Sequence, residues 1–292
     1  MQTLSAYTGR FAPSPSGPLH DGSLVAAMAS YLDAKAHHGR WLLRIEDIDT
    51  PRTVTGADKV IMQQLQALGM HWDGEVIYQS QRLNRYQECF DLLNQQGLIY
   101  GCSCTRKIIT DNAIALGIHK SGQYPYLGTC RQGAKGIPRA WRLIMPEGLF
   151  SFEDRWLGRQ EQNIQQEIGD IIIKRADKLF AYQFVVVIDD FDQGVTDIVR
   201  GQDILDSTLR QQCIGHYLGF PSIRYLHVPL VMDSEGRKLS KQNHANPINL
   251  SNALQSLDKA WRILGFNSFH PKNIEAFWSE AVVHWAQRFV KH

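Results

Sequence analysis

The first fifty residues of the chain contain two short strand-like segments separated by a segment with the hydrophobic spacing of a helix. Residues 8–12 predict a short strand that leads into a Pro/Gly loop. The short apolar run 41–45 predicts a second, buried strand, which leads into the polar Glu46 and Asp47. Between these two segments, apolar residues recur every three or four positions, which predicts a helix ending at residues 37–39. The apolar face of this helix consists of Leu24, Ala27, Met28, Tyr31 and Leu32. Strand, helix and strand in this order predict a βαβ unit and a parallel sheet.

The remaining apolar runs predict further elements of the same kind. Helices are expected at residues 57–68 and 83–95. Residues 184–188, which precede two aspartates, and residues 225–232 predict two more strands. Between residues 99 and about 136, cysteines, glycines and short polar pieces dominate, which predicts an insertion outside the sheet.

The chain closes with two predicted amphipathic helices. Their apolar stripes favour packing against the main domain over binding RNA. The first stripe consists of Leu250, Leu254, Leu257, Trp261 and Leu264, and the second of Ile274, Phe277, Trp278, Ala281, Trp285 and Phe289.

Composition narrows the class of protein. The 292 residues carry a net charge of +2, too small to demonstrate a nucleic-acid partner. A signal peptide and an uncharged apolar span of about 18 residues are both missing from the sequence, so we expect a cytosolic protein. Five cysteines, an odd number, argue against a disulfide framework.

Residues 15–24 combine a Pro/Gly loop with a predicted helix start. The free N–H groups and positive dipole end of a helix N-terminus suit phosphate, and His20 stands where it could donate to a phosphate oxygen. Gly17 and Gly22 would let such a ligand come close to the backbone. Alone, the segment is equally compatible with a turn that carries a surface histidine.

A second basic element follows more than two hundred residues later, at residues 238–242. Lys238 and Lys241, three positions apart in a Gly-flanked loop, can close over a triphosphate and stabilise charge that develops on the phosphoryl oxygens. The alternative is a solvated basic turn.

Together the two elements resemble the paired signatures of class I aminoacyl-tRNA synthetases. The surrounding Gly9-Arg-Phe-Ala-Pro-Ser-Pro-Ser-Gly17 and Leu43-Arg-Ile-Glu-Asp-Ile-Asp49 are similar to the glutamyl-tRNA synthetase catalytic core. The resemblance implies an α/β fold, a Rossmann-like parallel sheet with an inserted zinc-containing subdomain and a short helical C-terminal region. We expect the first half of the Rossmann domain at 1–98, the insertion at 99–178, the second half with the lysine loop at 179–245, and the helical region at 246–292.

The resemblance also implies the substrate contacts. Catalytic roles fall to His20, Lys238 and Lys241, and the ATP contacts to His20, Gly22, Ser23 and Lys241. The implied glutamate contacts are Arg10, Phe11, Ala12, Pro13, Ser14, Glu46, Tyr182 and Arg200. Guanidinium groups suit the two carboxylates and Glu46 the ammonium, although either arginine could instead form a structural ion pair. The chain departs from the family pattern at Ser23, where many members carry a second histidine, and at Asp21, whose carboxylate would repel phosphates unless it points away.

Three cysteines, Cys102, Cys104 and Cys130, suit a tetrahedral structural zinc that needs a fourth ligand. Ordinary zinc chemistry nominates His119. The resemblance instead implies Tyr126, through its spacing to Cys130. Three reduced cysteines without metal are the remaining alternative.

Only 50 residues follow Gln242, too few for the anticodon-binding domain of an ordinary glutamyl-tRNA synthetase. This feature resembles the truncated paralogues, the glutamyl-queuosine tRNA(Asp) synthetases. It implies glutamyl-adenylate formation without tRNA, followed by transfer of glutamate to the queuosine base of tRNA(Asp). The expected partners are ATP with Mg²⁺, L-glutamate and queuosine-carrying tRNA(Asp); we expect a monomer and no membrane.

Three other functions stay open. One is a glutamyl-tRNA synthetase that charges a tRNA 3′ end, another a non-catalytic tRNA- or zinc-binding module, and the third a nucleotidyltransferase with the same histidine element. The intact lysine loop argues against the module, since binding alone needs no transition-state cations. The arginines, Glu46 and Tyr182 argue against the nucleotidyltransferase.

Overall fold

The computed structural model describes residues 6–118, 124–231 and 247–290. The strands are β1 (Thr8–Phe11), β2 (Arg40–Ile45), β3 (Ile77–Tyr78), β4 (Ile99–Cys102), β5 (Ala140–Leu143), β6 (Leu149–Asp154), β7 (Gly158–Asn163), β8 (Ile171–Lys174), β9 (Asp197–Gly201) and β10 (Arg224–Val228). The helices are α1 (Asp21–Ala36), α2 (Ala57–Ala67), α3 (Leu83–Gln95), α4 (Arg106–Ala115), α5 (Ile164–Glu167), α6 (Tyr182–Asp192), α7 (Thr208–Tyr217), α8 (Ala253–Ile263) and α9 (Ile274–Phe289).

The predicted βαβ unit is confirmed. Strand β1 runs parallel to β2, and β3 continues the parallel sheet on the other side of β2. Helix α1 connects β1 to β2 and buries its apolar face completely, with Leu24, Met28 and Leu32 inaccessible to solvent. The carboxyl ends of β1 and β2 therefore meet at one edge, where ligands of α/β sheets bind.

A second sheet of four strands has the order β7, β6, β10, β9, in which β10 is parallel to both β6 and β9. The backbone N–H of Thr196 donates to the Thr8 carbonyl (2.9 Å), so the start of β9 lies alongside β1. Strand β6 lies within residues 99–178, the segment predicted as an insertion. The antiparallel strands β4, β5 and β8 form a separate sheet around the cysteines.

The strand predicted at residues 184–188 is wrong, because these residues lie in helix α6. Every residue from 184 to 190 is buried, and the helix contacts α3, α7 and β8. A helix covered on all sides is hydrophobic on all sides, so it has no amphipathic period to distinguish it from a buried strand. The strand predicted at 225–232 is confirmed as far as Val228, where β10 ends before Pro229. Met232 lies outside the described residues.

The two C-terminal helices, α8 and α9, pack against α1, as their apolar stripes predict. Trp261 and Trp285 are almost completely buried in the same core as α1. The Trp285 indole N–H donates to the buried carboxylate of Asp33 in α1 (2.9 Å), which Arg155 also binds with two hydrogen bonds (2.6 and 2.8 Å). In the described ranges, no helix is both long and apolar enough to cross a bilayer.

Candidate active site

The predicted glutamate contacts lie at the carboxyl ends of the first two strands and on the elements that face them. Arg10 is in β1, Glu46 directly follows β2, Tyr182 opens α6, and Arg200 is near the end of β9. The backbone N–H of Glu46 donates to the Pro13 carbonyl (3.0 Å), which ties the end of β2 to the loop after β1. The structure thus brings residues from four distant stretches of sequence to one edge.

A buried network of ion pairs holds Arg10 and Glu46 in place. Arg10 Nε donates to Asp190 Oδ1 (2.9 Å), and Arg44 Nη1 lies 2.9 Å from the same oxygen. Arg44 Nη2 also contacts Glu46 Oε1 (3.3 Å). The sequence alone did not identify Asp190 and Arg44 as part of this network. Asp190 closes the apolar run mistaken for a strand, and Arg44 stands two residues before Glu46.

Burial dominates the electrostatics of Glu46. It raises the pKa of this carboxyl to about 7, against the opposing effect of Arg44 and Arg10, which favour the charged form. Near neutral pH the carboxyl is therefore poised between its two states. A substrate ammonium would favour the charged state.

Tyr182 is electrostatically linked to the other three residues. Burial and the negative charge of Glu46 raise its pKa to about 12, although the positive charges of Arg200 and Arg10 oppose the rise. The phenol therefore keeps its proton at neutral pH and can donate a hydrogen bond. This mutual influence places the four predicted contacts in one electrostatic environment.

Arg200 differs from Arg10 in its hydrogen-bond partners. Its guanidinium donates to His227 Nε2 (3.0 Å), Gln211 Oε1 (2.7 Å) and Thr208 Oγ1 (2.9 Å), all uncharged acceptors. Burial lowers the pKa of Arg200, because the charged form is desolvated. Arg10 thus has the structural ion pair that the sequence left open, whereas the charge of Arg200 suits an incoming carboxylate.

A cavity of about 220 Å³ lies between the start of α1 and the ends of β9 and β10. Its lining includes His20, Gly22 and Ser23 on one side and Gly201 and Asp203 on the other. This is the crevice beyond the strand ends where open α/β sheets bind nucleotides. The predicted ATP contacts of α1 therefore share one cavity.

His20 has a role at this cavity that the sequence did not predict. Its Nδ1 caps helix α1 by accepting the backbone N–H groups of Gly22 (3.1 Å) and Ser23 (3.4 Å). These two N–H groups, which we expected to face phosphate, are engaged by the histidine instead. Because Nδ1 accepts, the imidazole is neutral and carries its proton on Nε2.

Asp21, the unexpected carboxylate beside the phosphate cavity, faces the C-terminal region. Its Oδ2 lies 2.5 Å from Lys259 Nζ in α8. The negative charge next to the helix start is therefore balanced by a lysine almost 240 positions later in the chain. Lys238 and Lys241 lie outside the described residues.

A larger cavity, of about 790 Å³, has a mainly apolar lining supplied by β6, α6 and α7. Asp190, Gln211 and Tyr225 belong to that lining, but Arg10, Glu46, Tyr182 and Arg200 do not. Despite its size, this cavity lacks the cations that a dicarboxylic amino acid requires, so it is distinct from the predicted glutamate contacts.

The inserted sheet gathers the cysteine cluster. The Sγ atoms of Cys102, Cys104 and Cys130 all lie within 4.8 Å of one another. The Tyr126 hydroxyl is 3.3 Å from Cys102 Sγ and 3.5 Å from Cys104 Sγ, and the Arg142 guanidinium lies 3.7 Å from the centre of the Tyr126 ring. Three sulfurs and one oxygen so arranged are compatible with a structural metal ion. His119, the alternative fourth ligand, lies outside the described residues.

Comparison with known proteins agrees with this geometry. The profile of one family, tRNA synthetases class I (E and Q), catalytic domain, matches residues 7–261. The glutamate-tRNA synthetase structure from Elizabethkingia anophelis has a TM-score of 0.70 and 27% identity, and the match covers 82% of this chain and 53% of that one. A glutamate tRNA ligase from Elizabethkingia meningosepticum, in complex with its amino acid, gives a TM-score of 0.68, 26% identity and coverages of 82% and 52%. The chain spans about half the length of these two proteins.

Curated relatives match over nearly their whole length. The chain is 56% identical over 286 residues to the glutamyl-Q tRNA(Asp) synthetase of Bordetella bronchiseptica, which covers 97% of this chain and 90% of the relative. It is 50% identical over 291 residues to the protein of the same name from Verminephrobacter eiseniae, with coverages of 97% and 98%. The protein therefore belongs to the class I glutamate and glutamine tRNA synthetase family, in its glutamyl-Q tRNA(Asp) synthetase branch.

Proposed function

We propose that the protein activates L-glutamate with ATP, without requiring tRNA, and transfers the glutamyl group to the queuosine base in the anticodon loop of tRNA(Asp). The observation that carries the first step is the buried Arg200. The hydrogen bonds of its guanidinium to the described residues all go to uncharged acceptors. The second step is supported by relatives named for glutamyl-Q tRNA(Asp), which the chain matches nearly end to end.

In the first step, an oxygen of the glutamate α-carboxylate attacks the α-phosphorus of ATP and pyrophosphate leaves. Arg200 binds one substrate carboxylate, and Arg10 binds the other through the N–H groups that its pairing with Asp190 leaves over. Glu46 receives the ammonium, and the Tyr182 hydroxyl adds a hydrogen bond. We assign residues 11–14 to the same site, because the Pro13 carbonyl accepts the backbone N–H of Glu46. These groups orient the nucleophile, and none of them forms a covalent bond to the substrate.

The phosphates belong in the cavity at the start of α1. His20 donates from Nε2, with Gly22 and Ser23 lining the wall, and Lys238 and Lys241 close over the triphosphate as charge develops on it. Mg²⁺ accompanying ATP would screen the remaining phosphate charge. In the second step a hydroxyl of the queuosine ring attacks the acyl carbon and AMP leaves.

Zn²⁺ bound by Cys102, Cys104, Tyr126 and Cys130 would stabilise the inserted sheet. A closed site with four protein ligands leaves no open position for chemistry. The neighbouring Arg142 guanidinium would favour the charged form of a Tyr126 ligand. The metal thus belongs to the fold of the insertion and not to the adenylate reaction. We also propose that the enzyme works as a cytosolic monomer.

Two measurements test the function. Glutamate-dependent exchange of pyrophosphate into ATP, measured without tRNA, should occur with glutamate and with no other amino acid. Labelled glutamate and ATP should then label tRNA(Asp) only when the tRNA carries queuosine, and the label should lie in the anticodon loop. Label at the 3′ end of the tRNA would instead identify an ordinary glutamyl-tRNA synthetase. If no amino acid supports pyrophosphate exchange, the protein is a non-catalytic binding module.

A further inference from the structure

A buried histidine stands directly behind the proposed carboxylate-binding arginine. His227, in β10, has no solvent exposure. Its Nε2 lies 3.0 Å from Arg200 Nε, and its Nδ1 lies 2.6 Å from Asp154 Oδ2 at the end of β6. Three strands, β6, β10 and β9, thus contribute one member each to a linear Asp–His–Arg chain.

Because arginine can only donate hydrogen bonds, its contact with His227 determines the protonation state of the histidine. An arginine N–H can only donate, so His227 Nε2 must accept and cannot carry a proton. The imidazole is therefore neutral and bears its hydrogen on Nδ1, from where it donates to Asp154. A histidine of the opposite tautomer, or a doubly protonated one, would present a hydrogen to the guanidinium and repel it.

Asp154 is itself held rigidly. Its Oδ1 accepts the backbone N–H groups of Trp156 (3.0 Å) and Leu157 (2.9 Å), and its Oδ2 accepts the backbone N–H of His227 (3.2 Å). The carboxylate is buried at 3% exposure. These donors favour its ionised form and fix its direction, so Asp154 can impose one tautomer on His227.

Arg200 in turn depends on His227 for its orientation. Gln211 and Thr208 hold the two Nη groups, and His227 is the partner of Nε. These three short contacts, with a longer one from Nη2 to the Ile204 carbonyl (3.5 Å), define the plane of the guanidinium. The N–H donors that remain on the Nη groups determine where a carboxylate can be bound.

We infer that His227 is a positioning residue for glutamate: its neutral imidazole, directed by Asp154, aims Arg200 at a substrate carboxylate. The inference rests on the proposed role of Arg200. A displacement of about 1 Å in a substrate-binding group typically costs up to about a hundredfold, so loss of the contact should raise KM for glutamate about tenfold or more.

The test compares three substitutions by glutamate-dependent ATP–pyrophosphate exchange. His227→Phe keeps a buried ring but removes the acceptor, and should raise KM for glutamate at least about tenfold while KM for ATP changes less than about twofold. Asp154→Asn, which can donate to Nδ1 and so favour the wrong tautomer, should have a similar effect. His227→Gln retains an acceptor for Arg200, so its KM for glutamate should be closer to that of the wild type. A merely space-filling role for His227 would not predict this difference from His227→Phe.

Arg200→Ala supplies the reference and separates the two hypotheses. If Arg200→Ala leaves KM for glutamate unchanged, the proposed role of Arg200 fails. If Arg200→Ala raises it but His227→Phe, shown to be folded by thermal unfolding, does not, only the positioning role of His227 is overturned. Adding His227→Phe to Arg200→Ala should cause no further rise, because the two residues act through one contact. An equal rise in KM for ATP and glutamate, or a His227→Gln variant as impaired as His227→Phe, would also overturn it.

Discussion

The raised pKa of Glu46 predicts how amino-acid activation depends on pH. If the ionised carboxyl receives the substrate ammonium, kcat/KM for glutamate should follow the ionised fraction of Glu46 in the free enzyme. With a pKa of about 7, this fraction is about one eleventh at pH 6 and about ten elevenths at pH 8. We therefore expect kcat/KM to rise about tenfold between these pH values and to level off above about pH 8.

The sign follows from the chemistry of the site. Burial favours the neutral carboxylic acid, so acid removes the negative charge that the ammonium needs, and alkali restores it. The α-ammonium of free glutamate lies beside a carboxylate rather than an amide, so it is less acidic than a peptide N-terminus. It keeps its proton over this interval, and the substrate does not cancel the effect.

The assay is glutamate-dependent ATP–pyrophosphate exchange at saturating ATP and Mg²⁺, with Glu46→Gln as the matched control. The amide is neutral at every pH, so this variant should be slow and should lose the tenfold rise. A slope that persists in Glu46→Gln would belong to ATP or to another group. A wild-type kcat/KM that stays flat from pH 6 to 8 would refute the role assigned to Glu46.

Three further predictions concern other parts of the molecule. Lys259→Ala should raise KM for ATP about threefold at low salt, because the Asp21 charge beside the phosphate cavity loses its partner, and Asp21→Asn should restore it in the double variant. Wild-type protein should contain about one zinc ion per chain by elemental analysis; Cys130→Ser should contain almost none and unfold at lower temperature, yet retain pyrophosphate exchange. Asp33→Asn should lower the free energy of unfolding in urea by about 3 kcal/mol at pH 7, since Arg155 would lose its hydrogen-bonded carboxylate and keep only Asp197, 3.7 Å away.

Each of these predictions has a distinguishing outcome. A Lys259→Ala defect that persists at high salt, or that Asp21→Asn does not relieve, would contradict the charge-balance argument. Full zinc content in Cys130→Ser would exclude that thiolate as a ligand. For Asp33, burial opposes the charged form, but its hydrogen bonds from Arg155, Tyr7 and Trp285 prevail and lower its pKa. The stability it adds is thus present above its unfolded pKa of about 4 and lost only as pH falls through the lower folded value. The difference between variant and wild type should therefore be constant from pH 5 to 8.

The sequence predicted best those features that short, ordered motifs encode. Arg10 and Glu46 lie at or near the ends of β1 and β2, the strands predicted at residues 8–12 and 41–45. Periodicity also predicted the packing of the C-terminal helices, because the apolar residues of α9, Trp285 among them, lie on one face of the helix. Each of these patterns lies within a single strand or helix, so it can be recognised without knowing which distant residues are in contact.

Features that depend on distant contacts could not be predicted in this way. Residues 184–190 of helix α6 are all buried, so their sequence shows no amphipathic period, and Asp190 was consequently not recognised as the partner of Arg10. His227 and Asp154 are 73 positions apart, and nothing in either neighbourhood indicates that they meet. The capping role of His20 depends on a rotamer that brings Nδ1 back to the helix start.

The contact between α1 and α9 has a consequence for how the chain folds during synthesis. Asp33 and Trp285 are separated by 252 positions. At about 5–20 residues per second, a ribosome needs roughly 13–50 s to make the residues between them. During that time the nascent first helix lacks the cover that α9 provides, and its outer apolar surface is open to chaperones or to other unfinished chains. Helix α1, which is made well before α9, is therefore fully enclosed only after α9 has been made.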